Sequence, residues 1–322
     1  MLKNAIETRE LITLDGLGIV LRGTYHKTPQ VDLNKRKCIG VLFLNSLSPT
    51  RAATGDSAVY WADSFAEYGY PSFRIDLPGF GDSDGDTPTD LVNFINTGGY
   101  TSVVALKIKE LVERFNLLGV VMVGHCSGAV SALYAAAAAS KECKGLVLAD
   151  PYFYVPQAVK SKILQKLDRW ASRSSLGRLF SDTYDRLKDI RLFLRKRVLP
   201  ENANLPLLKC WRELASAGLP ILILRAPSQK TPSTKARVGE FDYFSYLKKI
   251  AGYRGQVVVQ LIQGTDHSFA NRQGRATVRQ YAEDWLSTYF PLESLKRPIM
   301  ATLHPWTGDS NDYVRTRNGL DA

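Results

Sequence analysis

The sequence predicts an α/β protein built on a largely parallel central sheet, with an inserted helical cap. Apolar runs of the kind found in strands buried on both faces recur at residues 38–44, 71–75, 119–123, 145–148, 220–224 and 256–262. Segments with apolar residues three and four apart alternate with them. That alternation breaks off after Asp150 and resumes near residue 218, which marks an insertion rather than a second copy of the fold.

The elements follow in order. Residues 10–14 and 18–24 flank Asp15-Gly16, a two-residue hairpin signal, so the sheet is expected to open with an antiparallel pair. Helices are expected over 60–68, 103–115 and 127–138, the last alanine-rich enough to lie close against a sheet. Residues 151–217 read as basic amphipathic helices broken by Gly177, Pro200 and Pro206. A helix over 241–250 and another over 277–289 complete the pattern. The expected organisation is therefore a core first part over 1–150, a basic helical cap over 151–217, a core second part over 218–290 and a tail over 291–322.

With 322 residues, 45% hydrophobic and 23% charged, the chain can bury a sizeable core, and disordered, collagen-like and disulfide-scaffold classes are excluded. Four scattered cysteines and no C-x-x-C pair point to reduced thiols, a cytoplasmic location and no metal. The charged N-terminus has no apolar signal core. The longest apolar stretch, 129–139, falls far short of the roughly 20 residues of a membrane span. No cofactor is expected.

The most informative segment is Val121-Met122-Val123-Gly124-His125-Cys126-Ser127-Gly128-Ala129: an apolar strand, a Gly-x-Cys-x-Gly turn and a helix. Such a pattern arises by chance about 0.02 times in a chain of this composition. A nucleophile between strand and helix occupies a strained turn, where glycines two before and two after remove colliding Cβ atoms. The turn also places the Cys126 sulfur at a helix N-terminus, which favours thiolate. The competing structural reading makes Cys126 a small buried hydrophobe and the glycines packing devices.

Here the sequence resembles the α/β-hydrolase superfamily over roughly residues 9–289, with cysteine where the family usually has serine. Arg74-Ile-Asp-Leu-Pro-Gly79-Phe-Gly81-Asp-Ser83-Asp-Gly85 is similar to the loop after the family's fourth strand, and Gly264-Thr-Asp-His267-Ser-Phe269 to its histidine loop. Within the superfamily the combination looks most like hydrolases found beside exosortase and exopolysaccharide gene sets.

A thiol nucleophile needs a proton acceptor, and histidine titrates nearest physiological pH. Of His26, His125, His267 and His304, the choice is His267, which follows the strand over 256–262 and should stand at the ligand-gathering edge of the sheet. His125 is expected to point away. The acid is open. The family commonly places it after the penultimate strand, but here no Asp or Glu follows residue 224 until Glu240. Asp150 is favoured, as in certain haloalkane dehalogenases; Asp242 or Glu240 is the alternative, and a Cys-His dyad the third. The resemblance implies oxyanion donors at the Ser127 N–H and at Ser46 or Leu47. Asp76, Asp82 and Asp84 are expected to stabilise the fourth-strand loop, and Asp266 to orient the histidine loop.

Of the net charge of +11, the 14 basic and 6 acidic residues of 151–217 supply +8. A solvated helix face explains this, or a surface for an acidic acyl carrier protein. No nucleic-acid module accompanies the charge. The expected function is a small-molecule ester or thioester hydrolase or acyltransferase working through a covalent acyl-cysteine intermediate. The alternative is a non-catalytic binding protein on the same fold.

Overall fold

The computed structural model describes residues 8–15, 18–29, 33, 37–45, 50–155, 199–227, 241–252 and 254–292. The eight strands are β1 (Arg9–Leu14), β2 (Leu21–His26), β3 (Ile39–Leu44), β4 (Ser72–Ile75), β5 (Gly119–His125), β6 (Cys143–Ala149), β7 (Ile221–Arg225) and β8 (Val257–Leu261). They form one sheet in the order β1-β2-β4-β3-β5-β6-β7-β8. β1 and β2 pair antiparallel, as do β2 and β4; from β4 to β8 every pairing is parallel.

The helices are α1 (Ser57–Tyr68), α2 (Leu91–Asn96), α3 (Thr101–Arg114), α4 (Ser127–Ala138), α5 (Leu205–Ser216), α6 (Tyr243–Ala251) and α7 (Arg272–Tyr289). Because alternate strand residues face opposite ways, the central strands divide their apolar side chains between two layers. Val41, Phe43, Val121, Val123, Val147, Ala149, Leu222 and Leu224 pack under α1 and α7. Leu42, Leu44, Val120, Met122, Leu146, Leu148, Ile221 and Ile223 pack under α3 to α6. α4 is buried almost all round, and its run of alanines lets neighbouring helices approach. The segment 205–216, expected within the cap, packs on this layer through Trp211, which is fully buried and donates from Nε1 to the Leu247 carbonyl at 3.1 Å. Most of the expected cap lies outside the described residues.

Three local expectations change. The opening hairpin is present, but Leu14 pairs with Leu21, so six residues, 15–20, connect the strands where a two-residue turn was expected. Long-range bonds to that connection offset the tight turn: Asp15 N–H donates to Glu110 at 3.2 Å and Val20 N–H to Asp84 at 3.3 Å. α2 is an added element, capped by Asp90, which accepts from the Asn93 N–H at 3.1 Å. The last helix begins five residues early, because Asn271 caps it by accepting from the Gly274 N–H at 2.6 Å.

The fourth-strand loop is held as its sequence suggests. Asp76 is buried at the end of β4 and accepts from the Arg51 N–H at 2.5 Å, the Arg51 guanidinium and the Asp82 N–H at 3.2 Å. A Cβ on Gly81 would lie 2.3 Å from the Asp76 carboxylate, and Gly81 has φ +50. Only glycine lets the loop wrap this closely. The same network ties Arg51, just beyond β3, to β4, since Arg74 donates to the Arg51 carbonyl at 3.0 Å.

Candidate active site

β5 ends at His125 and α4 begins at Ser127, so Cys126 alone makes the bend between them. Its backbone sits at φ 54, ψ −118, a conformation that costs a non-glycine residue about 1–3 kcal/mol. The bend holds because its neighbours are fixed: Cys126 N–H donates to the Ala149 carbonyl at 2.9 Å, and Ala129 N–H to the Cys126 carbonyl at 3.1 Å. A Cβ on Gly124 would meet the Gly128 carbonyl oxygen at 2.4 Å, so that glycine is what lets α4 fold back over the strand.

Strand order then does the assembling. β6 lies beside β5, and Asp150, the first residue past β6, has φ 46 and donates its N–H to the Leu224 carbonyl at 2.7 Å. The loop after β8 brings His267 across, with its Nδ1 2.6 Å from Asp150 Oδ2. The His267 side chain also hydrogen-bonds to Cys126. The Asp150 bond, then the Cys126 bond, outweigh desolvation and push the imidazole pKa up to about 10. Positive φ recurs here: Cys126, Asp150 and Phe269 are three of six such non-glycine residues among those described. Strain is concentrated where chain ends must converge on one point.

His125 is the residue at this site that the sequence points elsewhere. Its Nε2 lies 2.6 Å from the His267 carbonyl oxygen, and its ring packs 5.0 Å from the His267 ring and edge-on to buried Phe269 at 5.7 Å. Burial pushes its pKa below the ordinary histidine value. The ring is therefore neutral at pH 7, and since a carbonyl only accepts, the proton resides on Nε2. Asp266 steadies the loop after β8 by accepting from the Ser268 N–H at 2.9 Å and its hydroxyl at 2.5 Å.

The other candidates fall as follows. Asp242 is occupied as the cap of α6, accepting from the Phe244 and Ser245 N–H groups at 3.1 Å. Glu240, Ser46, Leu47 and His304 lie outside the described residues. Asn45 lines a pocket beside Cys126 and donates to the Thr50 carbonyl at 2.5 Å. Ser127 is buried at the head of α4, where backbone N–H groups point along the helix axis. His26 is remote: buried between strands, it lies 2.7 Å from Asp63 through Nδ1 and accepts from Arg74 Nε at 2.8 Å through Nε2. Among the described residues no cluster of three or more His, Cys, Asp or Glu is arranged to hold a metal ion.

The alpha/beta hydrolase fold model matches residues 47–280, more than half of the chain. The chain belongs to this family. No curated protein matches the sequence. Among solved structures, an esterase from Pyrococcus furiosus superposes with a TM-score of 0.56 at 11% identity, covering 90% of this chain and 94% of its own. The thioesterase domain of the curacin biosynthetic pathway gives 0.50 at 14%, covering 85% and 99%. A haloalkane dehalogenase from Agrobacterium tumefaciens gives 0.51 at 12%, covering 88% and 98%. Membership of this family supports an activity of the hydrolase or acyltransferase kind.

Two further expectations are corrected. No match carries a link to exosortase or exopolysaccharide gene sets; the likeness is to the broad fold family and to esterases, epoxide hydrolases and dehalogenases. The covalent acyl-cysteine intermediate is withdrawn, because enzymes of these kinds characteristically use a serine or aspartate nucleophile. Among the described residues no helix is long and apolar enough to cross a membrane.

Proposed function

We propose that the chain hydrolyses acyl esters or thioesters of small molecules at the cluster formed by Cys126, His267 and Asp150. The observation that carries this is the 2.6 Å Asp150–His267 pair standing over the strained bend at Cys126. Hydrolysis consumes one water, and His267 is the group here that can take its proton and pass one to the departing alcohol or thiol. Asp150 fixes the ring so that Nδ1 keeps its proton and Nε2 serves the reaction. The Ser127 N–H, at the head of α4, is the proposed donor to the developing oxyanion. Cys126 packs beneath the reacting carbonyl and bonds to His267.

Acid release from short-chain esters and thioesters tests this reading. Turnover should fall by at least about 10²-fold in His267→Ala and in Asp150→Asn. Equal rates in these variants and the wild type would overturn it.

Two finer proposals rest on sequence. All four cysteines are free thiols, which supports a cytoplasmic location. The charge of 151–217 supports an acidic acyl carrier as one source of substrate. Charge reversal at Arg195, Lys196 and Arg197 should then slow carrier-bound acyl groups more than free esters.

A further inference from the structure

Two cavities of unequal size meet at the reacting cluster, and Cys126 and His267 line both. The smaller, about 170 Å³, has an apolar floor of Phe43, Ala58, Trp61 and Val123 and includes Asn45 and Ser127 on its wall. The larger, about 1020 Å³, extends past Asp150 and carries six aromatic side chains: Tyr152, Phe153, Tyr154, Phe241, Tyr243 and Phe244. These rings come from the segment after β6 and from the start of α6, and Tyr154 and Tyr243 join the two groups. Tyr154 lies 5.4 Å from Tyr152 and 6.3 Å from Tyr243, and Phe241 lies 4.9 Å from Tyr243. Tyr154 is 41% exposed, so its ring is presented rather than packed away. The Tyr243 hydroxyl is buried without a hydrogen-bond partner among the described residues, a state that native proteins rarely leave unrelieved.

Building on the ester-hydrolase reading, we propose that the site takes esters of a compact acyl group with an aromatic alcohol, dividing them between these two cavities. The acyl group occupies the small pocket, because that pocket holds the proposed oxyanion donor and the carbonyl carbon must stay beside it. Its volume is close to that of a cavity that holds one benzene, so about six heavy atoms fill it. The aromatic alcohol occupies the large cavity, where ring–ring contacts favour it beyond simple burial. In the reaction a water oxygen bonds to the carbonyl carbon, the carbon–oxygen bond to the alcohol breaks, and the alkoxide takes a proton from His267. One acid and one alcohol result.

The decisive comparison is benzyl acetate against cyclohexylmethyl acetate, which share leaving-group reactivity and differ in aromaticity, together with the reversed ester methyl phenylacetate and with benzyl octanoate. Expected is a preference of about tenfold or more in kcat/KM for benzyl acetate over each, with Phe241→Ala raising its KM. Calorimetric titration of benzyl alcohol gives a readout independent of turnover: it should bind wild type, and more weakly Phe241→Ala. Hydrolysis with no benzyl preference, or with methyl phenylacetate or benzyl octanoate preferred, overturns this division while leaving the ester-hydrolase reading intact. Binding of the aromatic alcohol with no hydrolysis of any ester overturns the ester-hydrolase reading and supports the aromatic cavity. An absence of both binding and preference overturns the proposal.

Discussion

Asp150 Oδ2 and His267 Nδ1 lie 2.6 Å apart although 117 residues separate them in the chain. The pair joins the end of β6 to the loop after β8 across the end of β7, and Asp150 is itself tied to β7 through the Leu224 carbonyl. Asp150→Asn keeps the shape and removes the charge. The amide can no longer hold the Nδ1 proton as a carboxylate does, so turnover should fall by about 10²- to 10⁴-fold. The His267 pKa should drop from about 10 toward the ordinary value, read from the pH profile or from imidazole NMR shifts. A profile that stays where it was would remove Asp150 from this role.

The raised His267 pKa sets two pH trends. As a base the imidazole must be neutral, so hydrolysis should climb from pH 7 toward pH 10 and level off there. Stability moves the other way. A folded pKa of about 10 above an unfolded value near 6.5 contributes stability that is fully present below about pH 6.5 and lost as pH rises through about 10. The His267 side chain is 56% exposed, so solvent screening keeps this contribution small. Thermal melts of wild type and His267→Gln should converge as the pH approaches 10; a gap that widens over that range would contradict the shift.

Much of this site is legible in the sequence because its parts are local. Gly124, Cys126 and Gly128 announce a strained bend by spacing alone, and His267 follows a recognisable strand. What sequence does not convey is how loops meet. Whether Asp150 or Asp242 faces the imidazole depends on which strand lies beside β5, and Asp242 drops out only once it is seen capping α6. The hairpin misleads for the same reason. Asp15-Gly16 is a strong local turn signal, yet bonds from Asp15 to Glu110 and from Val20 to Asp84 hold a longer connection. His125 is hidden because nothing along the chain marks a side chain as partner to a backbone carbonyl 142 residues away.

That contact makes His125 a positioning residue. It anchors the backbone of His267 and touches no reacting atom in the scheme above. His125→Phe keeps the edge-on contact with Phe269 and loses the Nε2–H donor, so the His267 loop should loosen. We expect kcat to fall about tenfold, since a displacement near 1 Å at a catalytic group can cost up to about 10². His125→Gln restores a donor and should recover part of the loss. A purely structural role would lower the melting temperature of both variants and leave kcat of the folded fraction unchanged.

Cys126 itself carries the cost of the bend. At φ 54, ψ −118 it occupies the mirror image of an ordinary extended conformation, which glycine adopts as readily as its inverse. Cys126→Gly should therefore release about 1–3 kcal/mol of backbone strain. Against this stands the greater freedom of glycine in the unfolded chain, worth about 0.4–1 kcal/mol. The sulfur is only partly buried, so its removal sacrifices little packing. Net stabilisation of about 1 kcal/mol, or roughly 2 °C in Tm for a chain of this size, is the expected outcome of a thermal melt. Destabilisation would mean that the thiol's own interactions, the hydrogen bond to His267 foremost, outweigh the strain of the backbone that presents it.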